Sequence, residues 1–392
     1  MVETHTFLMP DYFFDFSCKM GACRAACCEG WPITVSMQNY FRLIGMNCKK
    51  SLRDRLDIGL RVLDRPNVDE YARFEPRYDG NCPLRMGDGR CALHAECGED
   101  ALPEICRLYP RGIHLSEGGY ECSLADSCEA TLEIFFDRDE PIRFVEREMT
   151  FAMPQFGRPT VVFETMGHER EIRMRLIEIM QDRGHTLPER IIGVGLFLRE
   201  IEHAVDSGDE GLIIAALNER SLLSEDGISD KRANADRLSF GLRVARQTVD
   251  ILDARSESIR KCGEAAIAYF GGSDGDLERY HVAKEGFEKA FPKWEIFYEH
   301  MLVNHIFFSK FPFQDRPERL YDEFLGLCGV YTVLRFLGLG SAADEPRRDL
   351  LIDGMAAAFR LIDHTEYDRY ISHILKGLDC TTPDKIADLL CL

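Results

Sequence analysis

A leader for export is the first thing missing from this 392-residue sequence. Met1 to Pro10 has no basic stretch followed by an apolar one. No uncharged apolar run reaches the ~18 residues that a membrane span needs. Together these predict a cytosolic protein with no membrane span, in which thiols stay reduced. Positive charge is also short: 48 Lys and Arg stand against 67 Asp and Glu, a formal net charge of -19. Such a surface repels phosphate backbones, so nucleic acid is not an expected partner. The same field attracts a basic group such as a lysine amine, besides keeping the chain soluble.

The common cofactor signatures are missing too. Gly193-Val194-Gly195 falls inside a capped helical pattern, and Gly271–Gly275 reads as a loop between helices. Neither opens a strand–turn–helix unit of the dinucleotide-binding kind. There is no P-loop, no nucleophile elbow and no HExxH. No C-x2-C pair occurs, although that is the usual zinc knuckle. The radical-type C-x3-C-x2-C triad is absent as well: Cys23-x3-Cys27 begins like it, but the next cysteine is adjacent.

What the chain does have is cysteine, concentrated at one end. Eleven of its 15 cysteines precede residue 129: Cys18, Cys23, Cys27, Cys28, Cys48, Cys82, Cys91, Cys97, Cys106, Cys122 and Cys128. Structural thiols behave as small hydrophobes and would scatter with the core. Clustering in a cytosolic chain points to metal ligation instead. The mixed spacings suit an iron–sulfur cluster, whose cube is wide, better than a zinc ion; packed metal-free thiols are the third possibility. Adjacent Cys27 and Cys28 do not easily grip one metal together, so one of them is expected to face a second site or the core. Trp31 and Pro32 would shield the metal loop.

The rest of the chain is periodic. Apolar residues recur at helical spacing over Ser36–Ile44 and Leu52–Leu63, whereas 76–125 reads as irregular and in need of a metal for its stability. Glu129–Phe136 reads as a short closing helix. The Pro154, Gly157 and Pro159 stretch marks a boundary, giving a cysteine-rich domain over 1–150 and a helical domain over 151–392. In the latter, Ile172–Met180 is one helix, and Thr186-Leu187-Pro188-Glu189 is a capping box opening another. Further helices are predicted over 210–222, 230–269, 277–309, 317–338, 345–362 and 366–378. The fold class is mainly α: an irregular metal-binding N-terminal domain followed by a multi-helix domain.

Within the helical domain, the apolar segment from Trp294 carries Glu299, His300, Asn304 and His305. His300 and Asn304 share a face at i,i+4, as do Arg360 and His364. Buried polar groups of this kind need partners. They form either a satisfied core network or the wall of a pocket.

These residues resemble one family, the flagellin lysine-N-methylases. The resemblance lies in Phe16-x-Cys18-x4-Cys23-x3-Cys27-Cys28-x-Gly30-Trp31-x-Ile33, in Cys82-Pro83-Leu84, Cys91-x-Leu93-His94 and Gly98-Glu99, and in Cys106-x2-Tyr109-Pro110-Arg111 and Ser123-Leu124-x3-Cys128. It continues more loosely in Leu187-Pro188-Glu189-Arg190, Gly195-Leu196-Phe197, Tyr298-Glu299, Leu302-Val303-Asn304, Phe311-Pro312-Phe313, and Arg360 with His364. The first part is also similar to a wider group of small proteins with a zinc- or iron-chelating cysteine domain. The resemblance implies S-adenosylmethionine-dependent methylation of lysines on flagellin, in the bacterial cytosol before export. It implies metal ligands among Cys18, Cys23, Cys27, Cys28, Cys82, Cys91 and Cys106, with Cys122 and Cys128 in reserve, around an iron–sulfur cluster of the 4Fe-4S kind or, alternatively, zinc. Cys97 falls where no ligand is expected and is assigned to the core; Cys48 has no assignment. A lysine must lose its proton before it attacks a methyl group, so a base or burial is required. Tyr298, Glu299 and Asn304 are the candidates to orient the neutral amine. The alternative reading is a non-enzymatic metal-binding or electron-transfer module with a helical docking domain.

Overall fold

In the computed structural model, the chain is described over residues 2–24, 27–28, 33–153, 165–219, 235–252, 257–270, 276–314, 319–341 and 345–390. The chain opens with strand β1 (Val2–Pro10), followed by a single 3-10 turn, Asp11–Asp15. Then come β2 (Ile33–Val35), α1 (Met37–Ile44), α2 (Lys50–Gly59), β3 (Leu60–Val62) and β4 (Ala72–Phe74). Short helices α3 (Ala92–Cys97) and α4 (Glu104–Leu108) precede β5 (Arg111–Ser116), β6 (Gly119–Leu124), α5 (Glu129–Asp137) and β7 (Phe144–Ala152). Ser36 caps α1, its hydroxyl accepting the N–H of Asn39.

Two sheets result. β2, β4 and β3 form a small antiparallel sheet, while a four-stranded sheet runs β5-β6-β1-β7. In the latter, β1 pairs parallel to β6 and antiparallel to β7. The span 76–125, expected to be irregular, therefore contains a hairpin. β5 and β6 join through Glu117 and Gly118, and Gly119 follows with a positive φ of 113°. Such a two-residue connection matches the twist of the strands it joins. Its surroundings of glycine, proline and cysteine mask it in the sequence.

Eleven helices follow among the described residues: α6 (Glu169–Met180), α7 (Leu187–Ser207), α8 (Glu210–Asn218), α9 (Ala235–Leu252), α10 (Glu257–Tyr269), α11 (Leu277–Ala290), α12 (Trp294–Phe308), α13 (Leu320–Ser341), α14 (Arg348–Ile362), α15 (Tyr367–Gly377) and α16 (Pro383–Leu390). The mainly α class expected from the sequence is observed. The predicted capping box starts α7: the Glu189 carboxylate accepts the Thr186 N–H at 2.8 Å. The helix expected over 277–309 breaks into α11 and α12, because Pro292 disfavours helical geometry at Phe291 before it. Helix α13 is long and apolar enough to cross a membrane, but 94% of that window is buried among its neighbours.

The apolar interior comes in two parts. A small one is built from Ile33, Val35, Leu43, Leu52, Leu56, Phe74, Leu84, Leu93 and Leu102. The large one runs without a break from Phe7, Tyr12, Leu124 and Phe135 through Leu176, Phe197, Met301 and Leu334 to Phe359. The four-stranded sheet thus shares its interior with the helices, while residues 33–106 have one of their own. Pro154, Gly157 and Pro159, which mark the expected boundary, lie outside the described residues, as does Gly271–Gly275.

Candidate functional site

Six thiols meet the small interior, and four of them stand together. Cys82 belongs to it, and Cys28, Cys91 and Cys106 pack against it. The Cys82 N–H donates to the Cys28 carbonyl at 2.9 Å, and Arg85 bridges to Cys91. Every pair among the four is close enough to interact electrostatically. Burial, with these neighbours, pushes the Cys82 thiol up to about 12 and raises Cys91 and Cys106 as well. A nest of thiols in so apolar a place resists losing its protons unless a cation compensates. Soft metal chemistry supplies such a cation. Among the described residues, no three His, Cys, Asp or Glu side chains converge tightly enough for a single metal ion. Thiolates around a polynuclear cluster stand further apart than around one tetrahedral ion. The four thiols are the donor type that a zinc ion and an iron–sulfur cluster both take.

Cys18 and Cys23, also expected as ligands, do not pack on the small interior, whereas Cys27 meets the Cys28 thiol and lies near Cys106 and Cys128. Cys18 is exposed, Cys23 half-buried, and both lie near Cys128. Cys48 and Cys97 pack on the small interior, and Cys122 is buried in β6. Trp31, the expected shield, lies outside the described residues.

The three residues proposed to handle the amine go to three places. Tyr298 is fully buried and its hydroxyl donates to the Leu334 carbonyl at 3.1 Å. Glu299, also fully buried, accepts from Arg183 at 2.8 Å and Arg190 at 2.6 Å. Asn304 faces the other way. Its amide nitrogen donates to the Leu124 carbonyl at 2.7 Å and to Asp126 at 2.6 Å, and its oxygen accepts from Tyr12. His300, on the same face, sets both ring nitrogens against the carbonyls of Phe135 and Glu140, at 3.1 and 3.0 Å.

Asn304 belongs to a buried polar junction between the sheet region and the helices. Asp363 accepts the N–H of Asp126 at 2.8 Å and stands 3.5 Å from Nδ1 of His305. Nε2 of His305 meets Asp368 at 2.9 Å. Burial opposes charge on His305, but Asp368 and Asp363 outweigh it and push the imidazole up to about 10. Ser127 links the junction outward, with its hydroxyl 2.9 Å from Nε2 of His364 and 3.1 Å from the Tyr109 hydroxyl. Sequence reasoning named His305 and His364 but missed Asp126, Asp363 and Asp368. Asp126 was framed by the Ser123-Leu124-x3-Cys128 element; the other two carried no signal beyond standing near His364.

Beside this region, a cleft of about 500 Å³ is lined by Asp15, Ser17, Lys19, Ala130, Glu133, Ile134, Asp137, Arg138 and Glu140. Four of these are acidic and two basic. Lys19 already pairs with Glu133 at 2.9 Å, and Arg138 with Asp11 at 2.7 Å. The net field in the cleft favours a cation, and its volume lies in the range of ligand sites.

Comparison with known proteins adds the following. Residues 173–392 match the model of the FliB lysine N-methylase C-terminal domain. A lysine-N-methylase of Salmonella typhimurium (strain LT2) is 29% identical over 135 residues, 33% of this chain and 32% of that one. The lysine-N-methylase of Salmonella choleraesuis matches equally, at 29% over 135 residues. The flagellar biosynthetic protein FliU of Salmonella muenchen is 28% identical over 135 residues, covering 77% of its length. The match thus spans about a third of each methylase. No solved structure matches the chain.

Proposed function

We propose that this chain, which belongs to the FliB lysine N-methylase family, transfers methyl groups from S-adenosylmethionine to lysine side chains of flagellin, in the cytosol before export. The match of residues 173–392 to the family model carries this reading. The acidic cleft supports it, because it would draw in the side-chain ammonium.

The reaction sets the demands. A free lysine titrates near ~10.4, so the ammonium must first give a proton to water or to a carboxylate at the cleft. The neutral nitrogen then forms a bond to the methyl carbon as the sulfur–carbon bond of the sulfonium breaks. S-adenosylhomocysteine leaves with the electron pair. Orientation of the amine against the methyl group is the larger part of the task. Tyr298, Glu299 and Asn304 act here through what they hold. Glu299 ties α12 to Arg183 and Arg190, Tyr298 ties it to α13, and Asn304 ties it to Leu124 and Asp126 at the end of β6. Cys28, Cys82, Cys91 and Cys106 would hold an iron–sulfur cluster, which when bound would tie separate loops of the small lobe together.

The test is co-expression with flagellin from the same bacterium, followed by intact and peptide mass measurement. Methyl-sized increments on lysines, absent with a Cys28→Ser/Cys106→Ser variant, are the expected result. Unmodified flagellin beside folded, metal-loaded protein would reject the reading in favour of a binding or electron-carrying module.

A further inference from the structure

Helix α5 carries Glu129, Glu133 and Asp137 at intervals of four, so three carboxylates lie along one face. Like charges at this spacing repel one another, and a nearby cation relieves them. Asp137 meets Arg348 at 2.6 Å. Glu129 and Glu133 share two cations from a single loop. Arg24 gives Glu129 its backbone N–H at 2.8 Å and its guanidinium at 3.2 Å, and is itself anchored on Asp353 at 2.8 Å. Lys19 is the other cation. Its ammonium pairs with Glu129 and lies 2.9 Å from Glu133.

The two cations are placed differently. Lys19 and Glu133 line the cleft of about 500 Å³, and Arg24 does not. Behind them the Glu129 side chain is only 1% exposed. A lysine ammonium is thus already bound where the cleft meets its most enclosed carboxylate. Arg24 holds Glu129 through both main chain and side chain, so Glu129 keeps a partner when Lys19 withdraws. Glu129, Glu133 and Asp353 would then face a single guanidinium, which leaves negative charge for one more ammonium. Residues 16–24 contain neither helix nor strand. A flexible four-carbon stem on such a stretch can swing aside without breaking an element.

We propose that Glu129 and Glu133 are the seat of the substrate's ammonium, and that Lys19 is a resident competitor which holds this seat until a substrate lysine displaces it. This rests on the lysine-methylase reading and names how that cleft is regulated. The displaced and the incoming group are the same, a primary ammonium on a four-carbon stem, so each can make the other's contacts. A tethered group acts at an effective concentration of roughly millimolar. Free amines below that level are turned away. A protein substrate gains further contacts outside the cleft and can exchange with Lys19. Its apparent affinity falls by the fraction of time for which the seat stands empty.

The experiment uses n-butylammonium chloride as the probe. Its binding to the full-length protein is followed by saturation-transfer NMR at low salt, without methyl donor, and flagellin methylation is measured alongside. Lys19→Met is expected to bind the probe about ten-fold more tightly than wild type and to lower KM for flagellin about five-fold. Lys19→Arg keeps a cation and should bind the probe no better than wild type. Adding Glu133→Gln to Lys19→Met should abolish the gain. Circular dichroism checks that the variants are folded. Should Lys19→Met not fold, wild type serves alone: amine-reactive labelling of Lys19, read by peptide mass, should rise when the probe displaces it. Labelling unchanged by the probe overturns the seat. So does methylated flagellin with the same KM and the same probe binding in Lys19→Met and wild type, and the methylase reading then stands. Gained probe binding with no methylation by any variant overturns the methylase reading and leaves the seat. A methyl group found on Lys19 itself would make it a substrate and overturn its role as competitor.

Discussion

Asp363 accepts the backbone N–H of Asp126 at 2.8 Å across 237 residues of sequence, and its other oxygen faces Nδ1 of His305 at 3.5 Å. One carboxylate thus satisfies the loop ahead of Cys128 and helps to neutralise a buried imidazole. Through it the cysteine-bearing region and the helical half share one junction.

Asp363→Ala leaves the Asp126 N–H unpaired and removes one of the carboxylates that face His305. The expected cost is about 2–3 kcal/mol in urea unfolding, with Asp363→Asn costing less because it keeps an acceptor. Equal losses for the two variants would show that charge alone matters there.

His305 makes stability depend on pH in a defined direction. Asp363, Asp368 and Asp126 all face it, and its folded value of about 10 lies above the ordinary 6.5. The imidazolium therefore contributes stability fully below about pH 6.5 and loses it as pH rises towards 10. The slope is at most about 1.4 kcal/mol per pH unit. The unfolding free energies of wild type and His305→Gln should converge between pH 6 and pH 9.5. A constant difference would mean the ring is neutral throughout.

Glu299 is buried between two guanidinium groups. Glu299→Ala should lower stability by about 3 kcal/mol, because Arg190 is left buried without its partner. Methylation per folded molecule, measured below the melting temperature, should fall much less than stability does. A total loss of activity in folded Glu299→Ala would instead put its carboxylate at the reacting amine.

At Gly21 and Gly89, alanine would bring both a left-handed strain and a clash between the two cysteine-bearing loops. Either Gly→Ala change should cost about 1–3 kcal/mol. It should also reduce the iron retained after gel filtration. Full metal content in both variants would mean that the loops do not need this close approach.

Asp15 and Glu140 are exposed at the cleft. Asp15→Lys/Glu140→Lys should raise KM for flagellin roughly ten-fold at low salt, with kcat little changed and the effect shrinking at high salt. A KM indifferent to both substitution and salt would place substrate entry elsewhere.

The helical periodicity was legible because each residue's neighbours at i+3 and i+4 are set by the helix itself. The Thr186 capping box stands where the letters put it, and the helix expected over Glu129–Phe136 runs over Glu129–Asp137. The β5–β6 hairpin was not legible, since its strands carry glycine, cysteine and a histidine in place of a clean alternation. Nor was the break at Pro292, which hides inside an otherwise continuous apolar pattern. Around α12 the sequence pointed to the right helix but could not assign its faces. Tyr298, Glu299 and Asn304 lie within two turns of one another, yet they meet α13, a pair of arginines and the sheet region respectively.

By itself, the sequence determined that thiols gather at one end and that helices fill the other, because composition and local spacing are properties of the chain. Which thiols share a neighbourhood was decided by the tertiary structure. So was the meeting of Asp126, His305, Asp363 and Asp368. The physical reason is the same in each case. Those partners are tens to hundreds of residues apart, and only the burial of a shared apolar interior brings their polar groups close enough to need one another.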